Sequence, residues 1–430
     1  MNALAPAADI DWTAFATEHE LATAIFAELA RCTGDGIGIT RECYAPGEDA
    51  ALAIFSAVAH AHGFAISIDP VGNLLVCLPG DDGTRPAHLI GSHADSVPQG
   101  GNYDGAAGIV AGLACLIRIA RSGRELTTPV RLLMLRGEES AFYGRANIGS
   151  RALFGILSPA DLAARSRGTG RTLAEAMTSV GIDLAPIRTG QTLFDPSTAA
   201  SYLELHIEQG PVLIDRRLPA AVVSGIRGNL RHRRVVCRGE AGHSGTIPRW
   251  LRKDAVFAFA DLVGRLDEHW RVLLERGLDL VVTTGIVGTD PDQHALSRIP
   301  GEVMFSFEVR SQSHDTLESF YELFRAECRA VGQQRGVAFE LDERVYTEPA
   351  RMDPAVIERL CAAAAACDLD PQTLPSGAGH DAAVFANAGI PSGMVFVRNA
   401  NGSHNPAEAM AIEDLIKGTD VLYKAVTATN

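Results

Sequence analysis

Four short motifs of this 430-residue chain bring acidic side chains and imidazoles close together. In chain order they are residues 91–97 (GSHADSV) with residues 101–105 (GNYDG), residues 137–140 (GEES), residues 204–210 (ELHIEQG) and residues 402–406 (GSHNP). Histidine nitrogens and carboxylate oxygens without cysteine sulfur suit a catalytic zinc, manganese or cobalt site better than a structural zinc site. The motifs therefore predict a metal-dependent hydrolase.

The adjacent acids Glu138 and Glu139 follow the apolar segment 130–135. Neighbouring side chains of an extended chain point in opposite directions, so a turn after the strand allows them two different roles. We predict that one carboxylate binds a metal and that the other stays free to act as general base toward a water molecule. The alternative is a solvated acidic pair on a surface loop. The hydrophobic strand before the pair and the nearby Phe142 and Tyr143 disfavour this surface-loop alternative.

Three further residues are candidates for the site, and for two of them, Asp104 and His243, a structural interpretation stands beside the functional one. Asp95 stands two residues after His93 and can reach the far nitrogen of that imidazole, which would fix the tautomer and orientation of a metal ligand. Asp104 lies in a glycine-rich turn, where a carboxylate can cap a helix, face a metal, or do both. His243, within residues 239–246 (GEAGHSGT), is either presented by a close-packed loop or simply exposed to solvent.

Composition excludes several classes of partner. The formal net charge of −14 argues against nucleic acid and anionic membranes, and an anionic substrate would need a local arginine or metal. The eight cysteines are scattered without a C-x-x-C pair, which favours a reducing cytoplasm over a disulfide framework. Residues 1–6 (MNALAP) have no basic region, so we predict no signal peptide, and no apolar run is long enough to span a membrane.

The spacing of apolar residues predicts an α/β architecture for the first half of the chain. Predicted helices are residues 12–31, 47–62 and 105–121 and two helices within 152–186; predicted strands are 64–68, 73–78, 88–92, 130–135 and 201–206. His93, the two glutamates and His206 then follow or end strands. Ligands of open α/β sheets bind beyond the carboxyl ends of strands, so we expect these side chains at one edge of the sheet.

The order of predicted elements changes after about residue 222. Strands are predicted at 230–238, 281–287 and 301–310 and helices at 251–276 and 315–335, after which the α/β pattern returns with a helix at 355–367 and a strand at 393–397. This β-α-β-β-α order indicates an inserted α+β module with an antiparallel sheet. We therefore predict a catalytic domain formed by residues 1–222 and 336–430, interrupted by a domain of residues 223–335.

Taken together, the motifs resemble the hydantoinase/carbamoylase-type amidases. These are dinuclear-metal amidohydrolases that include N-carbamoyl-L-amino acid hydrolase, β-ureidopropionase and allantoate amidohydrolase. The motifs keep the family order from about residue 20 to about residue 425, and they include ELHIEQGPVL, GHSGTIP, SGAGHDA and NGSHNPAE. The first and third of these are specific to the amidase branch, whereas the histidine–aspartate and double-glutamate motifs are shared more widely.

The resemblance implies a discontinuous metallopeptidase-like catalytic domain, with a mixed sheet flanked by helices, and an inserted ferredoxin-like domain that serves for dimerisation and as a lid. It also implies two divalent metal ions per subunit, zinc first, with manganese or cobalt as alternatives. Six residues would form the centre: His93 and His404 on one metal, Glu139 and His206 on the other, Asp104 bridging them (with Asp104–Gly105 a candidate cis peptide), and Glu138 as the base.

The resemblance further implies how a substrate is held. His243 would reach across a homodimer to the partner's site and stabilise the oxyanion. Arg310 would clamp a substrate carboxylate, a bidentate task that suits guanidinium geometry. Gln209 and the loop of residues 377–382, which contains Gly379, would line the pocket. Because Ser297 stands where the family usually has asparagine, nearby His294 would supply a polar contact.

These features predict hydrolysis of a linear amide or ureido bond, in an N-carbamoyl-L-amino acid or a related ureido acid. Ser297 and Arg249, which stands where the family often has methionine, depart from the family at substrate-contacting positions and leave the substrate open. The alternatives are an allantoate- or ureidoglycolate-type amidohydrolase, an aminoacylase or dipeptidase of the wider superfamily, and a catalytically silent binding protein on the same scaffold.

Overall fold

A computed structural model of the chain describes residues 10–428. Residues 1–6, for which no signal peptide is predicted, lie outside this range. The chain divides into two compact units, one comprising the chain up to Gly225 and from Arg351 onward, the other comprising Ile226–Ala350. Within the described range, no helix combines the length and the apolar character needed to cross a bilayer.

The helices and strands alternate through most of the first unit and form a separate set in the second. The helices are α1 (Glu18–Thr33), α2 (Pro46–Ala61), α3 (Ala106–Ser122), α4 (Ile148–Leu153), α5 (Pro159–Leu162), α6 (Leu173–Ser179), α7 (Ala185–Arg188), α8 (Val212–Asp215), α9 (Ala255–Glu275), α10 (His314–Arg335), α11 (Pro354–Ala365), α12 (Asp381–Asn387) and α13 (Ile412–Thr427). The strands are β1 (Ala65–Ile68), β2 (Leu74–Cys77), β3 (Ala87–His93), β4 (Val130–Leu135), β5 (Ala199–Ile207), β6 (Ala220–Ile226), β7 (Gly228–Arg238), β8 (Gly242–His243), β9 (Val281–Thr283), β10 (Val287–Gly288), β11 (Arg298–Ile299), β12 (Glu302–Ser311), β13 (Ala338–Leu341), β14 (Val345–Thr347), β15 (Ala350–Arg351), β16 (Thr373–Ser376), β17 (Ser392–Val397), β18 (Asn399–Ala400) and β19 (Ala409–Met410).

The first unit is built on a nine-stranded mixed sheet with the order β1-β2-β4-β3-β5-β17-β6-β15, in which β16 also pairs with β6. The central strands β4, β3, β5 and β17 run parallel to one another, whereas β1 pairs antiparallel with β2, β2 with β4, and β6 with β17. Every residue of β4 is buried, as expected for a parallel strand covered on both faces. The predicted α/β class with a mixed sheet flanked by helices is confirmed.

Helix α3 lies unusually close to the sheet because its packing face is made of small residues. A Cβ added at Gly108 would stand 2.3 Å from the carbonyl oxygen of Leu205 and 2.5 Å from the Cβ of Ser92. Glycine is therefore required for this approach to β3 and β5. The close contact fixes α3 against the two strands that end at His93 and carry His206.

The second unit has a six-stranded antiparallel sheet with the order β10-β12-β7-β13, in which β14 also pairs with β7 and β9 with β12. Buried and partly buried residues alternate along β12, so one face of the sheet is covered. Aromatic side chains fill the core beneath α9 and α10, and the rings of Phe307 and Phe324 stack with their centroids 3.8 Å apart.

Three predicted elements differ from the structure. Residues 152–186 form several short helices rather than two, because Ser158 and Thr172 each start a new helix with a capping box. The predicted strand 281–287 is divided into β9 and β10, which pair with separate stretches of β12. The second unit extends to Ala350 rather than to residue 335, because β13 and β14 both pair with β7.

Candidate metal centre

The parallel strands β4, β3 and β5 bring the first acids and imidazoles to one edge of the sheet. His93 is the last residue of β3, His206 is the second-last residue of β5, and Glu138 and Glu139 follow β4. Because these strands are neighbours and run in the same direction, their carboxyl ends meet. Asp104 joins them from the loop between β3 and α3.

The first group of candidate ligands is formed by His93, His206 and Asp104, all of them buried. Asp104 Oδ1 lies 3.0 Å from His206 Nε2 and 3.7 Å from His93 Nε2. The two Nε2 atoms are 3.4 Å apart. Burial disfavours the charged imidazole, but contacts with Asp104 and Asp95 outweigh it and raise the pKa of His93 well above its ordinary value.

The second group uses the other oxygen of the same aspartate. Asp104 Oδ2 lies 3.3 Å from His404 Nε2, which is 3.2 Å from Glu139 Oε1. His404 comes from the loop after β18, and its side chain is half exposed. Asp104 is therefore the residue that the two groups share.

The structure groups the candidate ligands differently from their predicted distribution between the two metals. The structure groups His93 with His206 and Glu139 with His404, whereas the sequence analysis paired His93 with His404 and Glu139 with His206. The physical reason is strand order: β3 and β5 are adjacent, so the two histidines at their ends meet directly. The predicted position of Asp104 between both groups agrees with its contacts.

This donor set fits divalent cations. Its atoms are imidazole nitrogens and carboxylate oxygens, which zinc, manganese and cobalt all accept. Asp104 Oδ1 is buried and makes no hydrogen bond among the described residues, although imidazole nitrogens surround it. A buried carboxylate oxygen without a hydrogen-bond donor is costly, and a cation shared with the imidazoles would remove that cost.

Asp95 connects the first histidine to the two glutamates. Its Oδ1 lies 3.3 Å from His93 Nδ1, and its backbone oxygen lies 3.2 Å from the same nitrogen. Its two carboxylate oxygens also accept hydrogen bonds from the backbone N–H groups of Glu138 and Glu139, each at 3.0 Å. One fully buried carboxylate therefore positions both the imidazole and the turn that carries the acids.

Glu138 is placed beside both groups but belongs to neither. Its Oε2 is 3.9 Å from His93 Nε2, and the residue is buried. Burial raises the pKa of Glu138 well above its ordinary value; His93 opposes the rise and Glu139 adds to it. A carboxyl group held dry beside charged neighbours is typical of a catalytic acid or base.

Two of the predicted substrate contacts lie in the first unit. Gln209 Nε2 donates to Asp104 Oδ2 at 2.8 Å and lies 3.3 Å from His404 Nε2, with the backbone of Gln209 at a φ of 62°. The structure therefore brings Gln209 to the shared aspartate. Gly379 lies in the loop before α12, where an added Cβ would meet nothing within 4 Å.

The other predicted catalytic and substrate-binding residues belong to the second unit, and their roles stay predictions. His243 is exposed on β8, and its Nδ1 accepts a hydrogen bond from the Gly245 N–H at 3.1 Å. His294 is exposed and bonds to Thr289 Oγ1 at 2.6 Å. Arg310 lies on β12, where its Nη2 is 3.0 Å from Glu308 Oε1.

A third group, formed by Glu204 and His380 with His206, was not predicted from the motifs. Glu204 Oε2 accepts from the Ala382 N–H at 2.9 Å, and the rings of His206 and His380 are 4.4 Å apart. The signal that could have revealed Glu204 is an acid in the middle of the apolar strand 201–207. His380 was considered only as part of a loop lining the pocket.

Two further residues hold the backbone at Asp104 through hydrogen bonds. Glu408 Oε1 accepts hydrogen bonds from the backbone N–H groups of Tyr103 and Asp104 at 3.0 and 3.2 Å. Arg41 is fully buried and donates to the carbonyl oxygen of Asp104 at 3.3 Å. Nothing in the local sequence distinguishes Arg41 from a surface arginine, because its burial depends on contacts with residues far along the chain.

The predicted cis peptide at Asp104–Gly105 is wrong, since residues 10–428 contain no cis peptide bond. Gly105 instead adopts a φ of 67°, and a Cβ added there would lie 2.4 Å from the His93 ring. Glycine is needed because the chain turns against the imidazole at this point.

The chain is similar in sequence and in structure to several known proteins. The sequence pattern of peptidase family M20/M25/M40 matches residues 89–428. The chain is 31% identical over 402 residues to an N-carbamoyl-L-amino-acid amidohydrolase of Paenarthrobacter aurescens, covering 93% of this chain and 95% of that protein. It is 31% identical over 389 residues to an allantoate amidohydrolase of Escherichia coli K12, covering 90% and 91%. A hydantoinase/carbamoylase family amidase from Burkholderia multivorans has a similar structure, with a TM-score of 0.85 at 26% identity, covering 96% and 97%.

Proposed function

Because this chain belongs to peptidase family M20/M25/M40, we propose that it is a metal-dependent amidohydrolase that cleaves the linear C–N bond of an N-carbamoyl-L-amino acid or a related ureido acid. The predicted resemblance to the hydantoinase/carbamoylase-type amidases is confirmed by the similar sequences and the similar structure. The observation that carries the proposal is Asp104, whose two oxygens face two separate groups of ligands. The relative from Paenarthrobacter aurescens supports the choice of substrate class.

The proposed cofactor is a pair of divalent cations per subunit, zinc first, with manganese or cobalt as alternatives. When bound, such a pair would lower the pKa of a coordinated water molecule and would polarise the scissile carbonyl. His93, His206 and Asp104 would hold one ion, and Glu139, His404 and Asp104 the other. This distribution follows the contacts in the structure.

Glu138 is the proposed general base. It takes a proton from the attacking water and delivers that proton to the leaving nitrogen. Its burial beside both ligand groups supports this role, because a raised pKa lets one carboxyl group accept and then return a proton. Hydrolysis of an N-carbamoyl group in this way would release ammonia, carbon dioxide and an amino acid.

Substrate binding is proposed to use the residues that the family resemblance implies. Arg310 would clamp the substrate carboxylate, His294 would supply a polar contact, and Gln209 and Gly379 would line the pocket around the reacting group. His243 would stabilise the oxyanion from the partner subunit of a homodimer, a contribution of roughly 3–4 kcal/mol for such a donor. The guanidinium of Arg310 would supply the local positive charge that an anionic substrate of this acidic protein needs.

The homodimer is supported by apolar surface in the second unit. Trp250, Leu251 and Phe257 lie within one stretch of eight residues and are 83%, 64% and 61% exposed, and a concentration of exposed apolar side chains is typical of interaction surfaces. Mixing His243→Ala subunits with Glu138→Gln subunits should restore activity through hybrid sites, because each mixed dimer would contain one complete site. Confirmed heterodimers without any recovery would contradict the role of His243 across the interface.

We also propose a cytoplasmic location, in keeping with eight cysteines and no disulfide in the described chain.

The proposal is tested by measuring release of ammonia and free amino acid from N-carbamoyl-L-amino acids and ureido acids, and release of free amino acid from N-acyl amino acids and dipeptides, each with zinc, manganese or cobalt. We expect turnover of ureido substrates and little turnover of dipeptides. Glu138→Gln should retain the bound metal and lose nearly all turnover. A metal-loaded Glu138→Gln variant that hydrolyses ureido substrates at a near-normal rate would rule out the proposed base.

Allantoate is the second candidate substrate, since the relative from Escherichia coli acts on it by name at the same identity. Allantoate belongs in the panel for this reason. Turnover of allantoate above every N-carbamoyl-L-amino acid would replace the first substrate class by the second and leave the reaction type unchanged. The two candidate substrates share the ureido group that the proposed reaction hydrolyses.

A further inference from the structure

Asn147 lies between two buried carboxylates. Its Nδ2 donates to Glu138 Oε1 at 3.2 Å and to Asp381 Oδ1 at 3.1 Å. Glu138 is 8% exposed and Asp381 is 1% exposed. Ionised carboxylates only accept hydrogen bonds, and a side-chain amide has two N–H groups, so Asn147 can donate to one oxygen of each acid at once.

The backbone holds Asn147 in this position. The N–H groups of residues 147, 148 and 149 donate to the carbonyl oxygens of Glu138, Gly137 and Arg136 at 2.8, 2.6 and 2.9 Å. Asn147 itself has a φ of 54° and a ψ of 41°, a left-handed conformation that asparagine tolerates better than most residues. The segment that carries the base and the segment that carries the amide are therefore fastened together.

The amide decides which oxygen of Glu138 is free. With Oε1 bonded to Asn147, Oε2 is the oxygen that lies 3.9 Å from His93 Nε2, on the side of the ligand groups. Without the amide, Glu138 and Asp381 would repel each other with no donor between them. We propose that Asn147 is a positioning residue that fixes the carboxylate of Glu138 for proton transfer; this inference rests on the proposed role of Glu138 as the base.

Asp381 has a second hydrogen-bond donor besides Asn147. Its Oδ1 also accepts from Ser150 Oγ at 2.5 Å, and Ser150 is fully buried on α4. Ser150 therefore holds Asp381 but does not touch Glu138. This difference provides a matched control, because Ser150→Ala removes a hydrogen bond from the same network without removing the contact to the base.

Asn147→Asp tests the inference with a side chain of the same shape. It tolerates the left-handed backbone but donates no N–H and places a negative charge between two acids. We expect kcat on the best substrate of the panel to fall about 100-fold, as displacement of a catalytic group by about 1 Å can do, with KM changed less than about threefold. Metal content should stay at the parent value. A crystal structure of the metal-loaded variant should show Glu138 turned from its place.

Asn147→Gly is the second variant, in case the added charge of Asn147→Asp prevents folding. It keeps the left-handed backbone and removes the donor, and the same loss of kcat at constant KM is expected. Ser150→Ala should keep kcat within about threefold of the parent, since general-base catalysis depends on the placement of Glu138 rather than of Asp381. Equal losses in Ser150→Ala and Asn147→Gly would assign the network a structural role and overturn the inference.

Glu138→Gln, measured in the same series, separates this inference from the proposed function. If Glu138→Gln is inactive while metal-loaded Asn147→Asp and Asn147→Gly turn over at the parent rate, the positioning role is refuted and the base remains. If Glu138→Gln itself turns over at the parent rate, the proposed base is wrong and the inference falls with it.

Discussion

Asp95→Asn is the substitution that tests most directly how the metal centre is built. In the parent protein the two oxygens of Asp95 accept one backbone N–H each, from Glu138 and Glu139, and Oδ1 also faces His93 Nδ1. Asparagine keeps one accepting oxygen and turns an NH₂ group toward the other backbone N–H. His93 keeps its contact with the backbone oxygen of residue 95 at 3.2 Å, so its tautomer should survive.

The size of the effect follows from the bonds that are lost. One hydrogen bond to a charged group contributes about 1.5–3 kcal/mol, and the turn carrying Glu139 would lose one such bond. Removing a group that supports metal ligands typically lowers metal affinity about 10- to 100-fold. That range corresponds to about 1.4–2.8 kcal/mol at 25 °C, which matches the loss of a single charged hydrogen bond.

The measurement is a competition titration with a chromogenic chelator, which gives the affinity for each bound cation. Asp342→Asn is a matched control, because Asp342 also holds a histidine and a backbone N–H, His232 Nδ1 and the Arg234 N–H, each at 3.0 Å. It lies in the second unit and should cost stability without changing metal affinity. Asp95→Asn with unchanged affinity for every bound cation would refute the reasoning.

Other expected outcomes follow from packing, charge and the donor set. Gly108→Ala should lower the free energy of unfolding by about 1–3 kcal/mol in thermal or denaturant unfolding, because its Cβ would overlap the carbonyl oxygen of Leu205. Gly264→Ala on α9 is the control, since its Cβ would meet nothing within 4 Å and the substitution should be neutral or stabilising. Equal losses of stability in the two variants would contradict this account. Burial, with Arg359 adding, lowers the pKa of His88 to about 4. As the pH falls from about 6.5, His88 would take up a proton in the unfolded chain before it does so in the folded chain. The free energy of unfolding should therefore fall by about 1–3 kcal/mol toward pH 4. In His88→Gln, unfolding curves should show a weaker dependence of stability on pH. Chelation should abolish ammonia release and lower Tm, and added divalent cation should restore both; full activity after complete removal of metal would exclude metal dependence.

Much of the fold could be predicted because the signals that specify it are local. The buried strand β4 begins and ends where the apolar run 130–135 does, and α10 differs from its predicted range by one residue at its start. Helices and strands differ in the period of their apolar residues, which a short window of sequence reveals. The division of residues 152–186 into short helices such as α5 and α6 was not predicted, because each of them depends on a capping residue rather than on a repeated pattern.

The sequence by itself determined the chemistry of this protein, since the types of donor and their places after strands can be read from short motifs. Only the tertiary structure decided how those donors are combined. His93 and His206 are 113 residues apart, and they meet because β3 and β5 are neighbours in the sheet. Arg41 and Asn147 acquire their contacts in the same way, through partners brought close by the order of strands and loops. That order depends on the packing of the whole chain, so no local period or motif contains it.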